Sequence, residues 1–554
     1  MKTPTPVADS TDPYVREAET FPYLTPESVA RIAQYGAKER PEAGTLLWER
    51  GQRRADFFDV ASGSIEVFDL NKHGEPNTVT LHHKHQFTGE LDLFTGRQSL
   101  ISGQAGKDTV VVRVRNADFR RLIAGEPDLG EVIIRSFILR RARLISMSRG
   151  GDMLIGPGRS TDTLRLRRFL TRNAIPHETV DTDLHPIPAE ALTQFDLTLD
   201  QLPIVISYGA QVMRNPTTAA LSDELGLTET LDETRVYDVA VLGAGPAGLA
   251  AAVYAGSEGL QTVVIEGEAP GGQAGTSSRI ENYIGFPTGI SGQDLAGRAQ
   301  VQAQKFGATL AISRPISAID CDDRPYRLHL ADGQSISAST VIVATGARYR
   351  TLSVPDYDRF EGQGIHYAAT GMEAQLCVDE EVVVVGGGNS PGQAAVFLSR
   401  TVAHVHILVR GGGLAATMSD YLIQRITSSP RITLHPRSEI TALDGDDLLR
   451  TVTWAQRDTG HGQTREIGNV FVMIGAEPNT EWLGGCLELD DKGFIRTGID
   501  CAGEALASPY ATTTPGVFAI GDVRSGSIKR VAAAVGEGSV VVHAIHQFLS
   551  SDGV

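Results

Sequence analysis

The chain is poor in cysteine, aromatic side chains and positive charge, and it has no long apolar run. Its four cysteines in 554 residues, Cys321, Cys377, Cys486 and Cys501, are too few and too scattered for a disulfide framework. A reducing, cytoplasmic setting is therefore expected. Lys and Arg number 50 against 67 Asp and Glu, a net charge of -17, which argues against nucleic acid or an anionic membrane as the main partner. No stretch reaches the roughly 18 apolar residues of a membrane span. Met1 to Thr20 are polar, lack the apolar centre of a signal peptide, and are expected to be loose. No cysteine or further histidine stands at ligand spacing from His82, His83 and His85. That run therefore reads as an exposed polar strand with His83 and His85 on one face, and no metal is expected. The 41% apolar and 21% charged residues are those of ordinary globular protein, and the length predicts three or four domains at about 150 residues each.

What the chain does have is glycine in a particular order. Val236 to Glu266 read VYDVAVLGAGPAGLAAAVYAGSEGLQTVVIE. Val239 to Leu242 form a buried strand, Gly243, Gly245 and Gly248 follow as G-x-G-x-x-G, a small-residue helix comes next, and Val263 to Ile265 form a second strand ending at Glu266. The first glycine permits the tight turn, the second lets a pyrophosphate approach the backbone, and the third lets helix and strand pack closely. The helix N-terminus offers N–H groups and a positive dipole end to phosphate, and Glu266 can accept ribose hydroxyls. A dinucleotide site is predicted.

Residues 20–149 read as short strands, among them Thr45 to Trp48, Phe57 to Val60, Ser64 to Phe68 and Val110 to Val114, with turns at Gly44, Gly51 and Gly63. A helix over Leu129 to Ile145 closes this β-roll. Arg135, Arg140, Arg141, Arg143 and Arg149 make that region basic, which predicts a solvated or domain-facing surface. The pattern of Pro41, Gly44, Gly51, Phe57 and Gly63, with Gly89-Glu90-Leu91 after it, resembles the cyclic-nucleotide-binding domain family. The resemblance implies a regulatory site at Gly89 and Glu90, with an arginine for the cyclic phosphate. An ungapped match puts Leu100 in the arginine's place, and Arg97 comes three positions early. An isobutyl group cannot pair a phosphate, so the cassette argues against a cyclic nucleotide.

Residues 150–228 read strand, helix, strand, helix, strand, strand, helix, with a helix over Ala189 to Phe195. This order, with Pro203 just before a strand, resembles the thioredoxin and glutaredoxin fold, which places a cis-proline there. The resemblance puts the redox dithiol at Ser160 and Thr163. Hydroxyls do not cycle through a disulfide, so the module reads as a docking or spacer element. Thr228 to Thr234 read as a polar linker.

From Arg235 onward the chain resembles the thioredoxin reductase family of flavoproteins. The motifs are the first glycine turn, Gly271-Gly272-Gln273, Glu281-Asn282-Tyr283, Ala344-Thr345-Gly346, the nested turn Gly386-Gly387-Gly388-Asn389-Ser390, FVMIGAEPNT over Phe471 to Thr480, and TPGVFAIGD ending at Gly521-Asp522. The resemblance implies that FAD is held by Gly243, Gly245, Gly248, Glu266, Gly272, Gln273, Asn282, Thr345, Gly346, Gly521 and Asp522. Arg530-Val531-Ala532 open a helix aimed at the flavin pyrimidine edge. It also implies a nicotinamide nucleotide at Gly386, Gly388, Asn389 and Ser390. The second strand of that unit ends in Arg410 where an acid would favour NADH. An arginine there can pair a 2′-phosphate, so NADPH is favoured over NADH. The family's dithiol falls on Ala368 and Gly371 in AATG, so both sulfurs are missing. Cys377, the nearest cysteine, has no basic neighbour to activate it and reads as a buried small hydrophobe.

The expectation is a multidomain chain: an N-terminal β-roll with helices (20–149), a thioredoxin-like α/β module (150–228), and two nested Rossmann-like α/β domains. The FAD domain runs 235–351 and 475–554, and the NAD(P)H domain 352–474. The expected activity is FAD-dependent NAD(P)H oxidation with an unidentified acceptor, by a homodimer. Alternatives are a thioredoxin-disulfide reductase using partner-supplied thiols and a flavin redox-sensing signalling protein. A small redox protein is a candidate acceptor.

Overall fold

A computed structural model describes residues 17–551 apart from 71–75, 90–92, 94–97, 147–151, 159, 185–197, 208–210, 278–279, 281–282, 368, 370, 416, 447 and 501. Glu90, Arg97, Asn282, Ala368, Cys501 and the helix expected over 189–195 therefore lie outside the described residues.

The front unit carries β1 (Ala37–Glu39), β2 (Leu46–Trp48), β3 (Phe57–Ser62), β4 (Ser64–Leu70), β5 (Pro76–His83), β6 (Ser102–Ala105) and β7 (Val110–Val114). They form two antiparallel sheets with orders β1-β7-β3 and β2-β6-β4-β5. Alternation along β3 and β7 sends Phe57, Val112 and Val114 towards the helices and Phe58, Val60 and Val111 into the roll. The helices are α1 (Glu17–Thr20), α2 (Pro26–Ile32), α3 (Asn116–Gly125) and α4 (Pro127–Ser146). Phe57 and Phe119 stack at 5.3 Å, and Phe119 and Phe137 at 6.0 Å.

Two expectations are corrected here. Arg140 on α4 is turned inward at 6% exposure. Its Nε donates to Thr20 O at 2.9 Å and its Nη1 to Gly89 O at 3.0 Å. The guanidinium face lies 4.7 Å from the Phe87 centroid and 5.2 Å from Phe21. A planar guanidinium can stack on rings while its edge donates, which is how this charge tolerates burial. Arg141 reaches Ala174 O in the next unit at 3.2 Å, the domain-facing half of the expectation. The end of the N-terminal segment is not loose: Glu17 pairs with Arg143 at 2.6 Å, and Ser136 Oγ donates to Thr20 O at 2.7 Å.

The middle unit contains β8 (Asp152–Gly156), β9 (His177–Asp181), β10 (Ile204–Ser207) and β11 (Gln211–Arg214), with α5 (Thr161–Arg172) and α6 (Thr218–Glu224). Sheet order is β11-β10-β8-β9, with β8 and β9 parallel. Ser160 caps α5, its Oγ accepting from Thr163 N at 3.1 Å, and the Leu202–Pro203 peptide is cis. The segment expected as a free linker is pinned along the next sheet. Thr228 Oγ1 donates to Ile312 O, Glu229 N donates to Leu310 O at 3.0 Å, and the Glu229 carboxylate accepts from Gln304 Nε2 at 2.9 Å. An edge strand offers unpaired backbone groups, and this segment takes them.

The large sheet contains β12 (Val236–Leu242), β13 (Thr262–Glu266), β14 (Thr309–Ile312), β15 (Ile316–Asp320), β16 (Tyr326–Leu330) and β17 (Ser335–Val343). Its order is β14-β13-β12-β17-β16-β15, and β28 (Val517–Ala519) also pairs with β17. Pairing along β14-β13-β12-β17 and β17-β28 is parallel. Against the sheet pack α7 (Pro246–Ser257), α8 (Gly292–Lys305) and α12 (Val531–Ser551). Val301 of α8 also enters the front unit's core. The chain leaves through β18 (Ala347–Tyr349) and returns through β27 (Ala476–Pro478), which pair antiparallel. Between them lie β19 (Ile365–His366), β20 (Glu381–Val385), β21 (His404–Val409), β22 (Ile432–Pro436) and β26 (Asn469–Val472), in the parallel order β19-β26-β20-β21-β22. An antiparallel sheet of β23 (Ser438–Gly445), β24 (Leu449–Gln456) and β25 (Gly462–Glu466) covers that sheet. Helices α9 (Gly371–Leu376), α10 (Asn389–Leu398) and α11 (Asp420–Ser428) belong to the same unit. Among the described residues no helix is long and apolar enough to cross a membrane.

The scatter of cysteines misled the sequence reading. Cys321 and Cys486 form a disulfide with Cα atoms 6.0 Å apart across 165 residues of sequence. The inserted unit accounts for that separation: the end of β15 and the turn at Glu481–Leu483 belong to one body although the chain visits them far apart. Asp320, Arg327, Ser337 and Val236 share one row across the sheet. The bridge therefore sits level with the start of β12, three strands across at the β15 edge, at the end opposite the glycine turn, which is more than about 20 Å away.

Candidate active site

The Gly243–Gly248 turn lies where β12 meets α7, at the carboxyl ends of parallel strands, where open α/β sheets bind ligands. Each glycine has a separate cause. Gly243 has φ +107°, and a Cβ there would lie 2.4 Å from Ala344 O. A Cβ on Gly248 would lie 1.9 Å from Gly243 O. Gly245, the N-cap of α7, has φ -70° and ψ -179°, and a Cβ there meets nothing nearer than Gly272 Cα at 3.9 Å. The first and third glycines are thus required by the protein's own packing. The second faces open space and leaves room for a group outside the chain. Gly272 closes over it, with Gly271 N donating to Ala244 O at 2.7 Å. Gln273 follows in the same loop and is exposed.

Glu266 ends β13 half-buried, its carboxylate accepting from Ala244 N at 2.7 Å and Glu268 N at 2.9 Å. Burial raises its pKa against those amide contacts. Thr345 and Gly346 are latched to the returning segment: Thr345 Oγ1 donates to Asn479 O and Asn479 Nδ2 to Thr345 O, both at 2.8 Å. Gly521 N donates to Glu537 at 2.6 Å, fixing the turn that carries Asp522. Burial raises the pKa of Asp522, opposed by Lys529 and helped by Glu537. Among the described residues its carboxylate meets no donor. Arg530, Val531 and Ala532 stand at the start of α12, Arg530 and Ala532 exposed. These groups fit FAD: a bare glycine at a helix N-terminus for the pyrophosphate and the open Asp522 carboxylate for hydroxyls.

The second turn repeats the logic. A Cβ on Gly386 would lie 2.5 Å from Met473 O, whereas one on Gly388 meets no atom within 4 Å. Asn389 Oδ1 accepts from Ser419 N at 2.8 Å, and Ser390 is exposed in the first turn of α10. Arg410 is exposed just after β21. The sequence reading missed Arg437: its N donates to Gly411 O at 2.9 Å, bringing a second guanidinium beside the Arg410 loop, where it pairs with Asp458 at 2.6 Å. Only the pairing of β21 with β22 could have revealed it.

Gly371 begins α9, and Cys377, just beyond that helix, is fully buried. Its Sγ donates to Glu373 O at 2.9 Å, and burial, helped by Glu380 and Glu373, pushes the thiol up to about 12. Such a thiol is neither a nucleophile nor a redox partner at neutral pH. Just before the vacant dithiol position, Tyr367 stacks on Tyr349 at 4.8 Å and its hydroxyl donates to Glu361 at 2.8 Å.

The front-unit candidates separate differently. Gly89 has φ +108° and sits against Phe137. The expected exposed histidine strand is corrected: β5 ends at His83, His85 lies in a turn at φ +70°, and His82 points inward at 2% exposure while Leu81 is 46% exposed. A two-residue period fixes which residues share a face, not which face is inside.

Two nucleotide-binding units, one inserted into the other, with glycine turns built for phosphates, define a dinucleotide-dependent oxidoreductase. The chain belongs to the pyridine nucleotide-disulphide oxidoreductase family, whose model matches residues 237–538, and a cyclic nucleotide-binding domain model matches residues 38–126. It is 35% identical over 307 residues to a thioredoxin reductase of Streptomyces clavuligerus, covering 55% of this chain and 91% of that one. It is 30% identical over 365 residues to NADPH-dependent thioredoxin reductase 3 of Arabidopsis thaliana, covering 62% of this chain and 66% of that one. The thioredoxin reductase structure from Giardia duodenalis superposes with a TM-score of 0.51 at 27% identity, over 57% of this chain and 99% of that one. The protein is therefore a thioredoxin reductase-like flavoprotein oxidoreductase with a cyclic nucleotide-binding domain, and the family implies FAD and NAD(P)H.

Proposed function

We propose that the protein is an FAD-dependent NADPH oxidoreductase whose electrons leave by a route other than an internal dithiol. The observation that carries this reading is the sulfur inventory. The dithiol positions are Ala368 and Gly371, Cys377 is buried with a raised pKa, and the Cys321–Cys486 bridge lies at the far end of the sheet. Reducing a disulfide needs an attacking thiolate and a resolving thiol, and the flavin side offers neither among the described residues.

FAD, when bound, supplies hydride acceptance from the nicotinamide and electron release to the acceptor. The chain's part is binding and orientation. The N–H groups at the start of α7 would hold the pyrophosphate, and the Asp522 carboxylate would accept ribityl hydroxyls. In the second unit Gly388 admits the nicotinamide dinucleotide's phosphates, and Arg410, with Arg437 beside it, favours the 2′-phosphate of NADPH. The middle unit fits a thioredoxin-like module without redox function. Its sheet order and cis Leu202–Pro203 support that fold, and Ser160 Oγ and Thr163 Oγ1 lie 2.8 Å apart where a dithiol would be.

Anaerobic titration of the flavin-loaded protein tests the proposal. The expected end point is one NADPH per flavin, and a variant with all four cysteines changed to serine should keep dye reduction. A second equivalent taken up, or activity lost in that variant with fold and flavin intact, would sink the reading.

A further inference from the structure

We propose that the cavity of the front β-roll is a binding site for a neutral, mostly apolar small molecule that hydrogen-bonds to His82, and not for a nucleotide phosphate. The space enclosed by the cavity and its open mouth is about 710 Å³, solvent at the mouth included. Trp48, Val67, Leu93, Leu100 and Ile101 give it apolar walls.

His82 stands apart from the other polar groups of the lining, among them Thr80, Thr88 and Ser99, in being a neutral ring with an unpartnered nitrogen. It lines this cavity, is 98% removed from solvent, and its Nδ1 has no hydrogen-bond partner. Burial, together with the Arg140 charge and His83, keeps the ring neutral. A sheet arranged only for stability would turn Leu81 in and His82 out, because a buried polar atom without a partner is costly. β5 does the reverse, so the ring nitrogen is placed for something that enters.

The charges around the cavity are already committed to protein groups. Arg140 donates to Thr20 O and Gly89 O, Arg143 pairs with Glu17, and Asp56 accepts from Arg113 at 2.6 Å and Asn116 N at 2.8 Å. Leu100, 5% exposed in the wall, stands where the family's phosphate-binding arginine would be. A phosphate entering here would lose its hydration and would have to compete for donors that these residues already give to protein groups. A neutral molecule with one polar group can lie against the apolar walls and direct that group at His82.

Calorimetry on the full-length, flavin-loaded protein tests this with 2-naphthol, an apolar body bearing one hydroxyl. The expected result is saturable one-to-one binding that excess cyclic AMP does not displace. Binding should weaken about 3- to 10-fold in His82→Phe, the worth of one hydrogen bond. It should weaken about tenfold or more in Leu100→Arg, which fills the cavity. If Leu100→Arg does not fold, Val79→Trp plugs the same space from β5. No saturable binding, displacement by cyclic AMP, or unchanged affinity in both His82→Phe and a folded plugging variant would each overturn the proposal.

Discussion

Replacing Gly245 and Gly248 by alanine, one at a time, separates a glycine kept for a ligand from one kept for the fold. At Gly245 the backbone angles, φ -70° and ψ -179°, suit any residue. An added methyl approaches the protein no closer than 3.9 Å. Gly245→Ala should therefore leave the apoprotein folded, a gain of about 0.4–1 kcal/mol through the unfolded chain being set against a loss of similar size from alanine at the N-cap of α7. At Gly248 the same methyl would lie 1.9 Å from the Gly243 carbonyl oxygen, so the turn must open or the helix must shift. If Gly245 is bare to admit the pyrophosphate, its methyl intrudes on the ligand alone. Overpacking of that kind costs about 1–3 kcal/mol, which weakens FAD binding about 5- to 150-fold. The assay is FAD titration of apoprotein with a thermal melt of each variant. Gly245→Ala should melt close to wild-type apoprotein and bind FAD more weakly, whereas Gly248→Ala should melt well below it with or without FAD. Wild-type FAD affinity in Gly245→Ala would refute the reasoning.

Three further expectations follow from single contacts. Arg410→Ala should lower kcat/KM for NADPH by about 10-fold or more, the worth of a charge-assisted contact, and leave NADH little changed; steady-state kinetics with both nucleotides decides, and equal losses would remove Arg410 from the 2′-phosphate. Arg172 of α5 pairs with Glu268 and donates to Gly272 O at 3.1 Å, so Arg172→Ala should speed FAD release by up to about tenfold, read by flavin fluorescence after dilution, with Arg172→Lys intermediate. Asp59 is fully buried, its carboxyl oxygens meet no donor among the described residues, and burial lifts its pKa to about 7. The unfolded carboxyl ionises near pH 4 while the folded one holds its proton to about pH 7, so stability falls as pH rises across that window, by as much as about 4 kcal/mol. Asp59→Asn should flatten that slope in urea melts at pH 5 and pH 8, and an unchanged slope would contradict the assignment.

The parts of the molecule that were legible in the sequence are those where backbone geometry dictates residue type. Glycine turns at Gly243 and Gly386 can be read because almost nothing else fits a positive φ beside a carbonyl oxygen. The alternating strands follow an equally local rule, whereas the cis geometry at Pro203 is expected only from the family resemblance. What escaped was set by neighbours distant in sequence. Cys321 meets Cys486 only because a whole unit is inserted between them. Arg437 reaches the Arg410 loop only through strand pairing. Arg140 is hidden because three aromatic rings happen to surround it, and nothing in a run of arginines foretells that. Thr228 to Glu229 look like a linker until an edge strand is placed beside them. His82 shows the limit most plainly, since periodicity gives two faces and hydropathy picks the wrong one at a binding cavity.

The contacts between units set where a signal from the front cavity can go. The front and middle units bind the FAD side through partly or fully buried groups: Val301 enters the front core, Arg314 at 7% exposure pairs with Asp223 at 2.5 Å, and Arg172 and Asn173 hold the backbone of the loop that runs from Glu268 to Gly272. Towards the inserted nucleotide unit, among the described residues, Arg168 pairs with Glu361 at 4.0 Å, between side chains 52% and 32% exposed. An exposed pair at that distance is worth little; the Arg314–Asp223 pair, with Asp223 itself 56% exposed, adds modestly, and the Val301 contact and the backbone hydrogen bonds from Arg172 and Asn173 resist displacement most. A ligand that shifts α4 or α5 therefore has a mechanical path to the loop over Gly245, and so to FAD, and only a weak one to the NADPH turn. With no dithiol between flavin and acceptor, that loop is also where control over electron release would be most direct. Regulation through the front unit should alter flavin affinity or flavin-to-acceptor rates and leave the KM for NADPH nearly fixed.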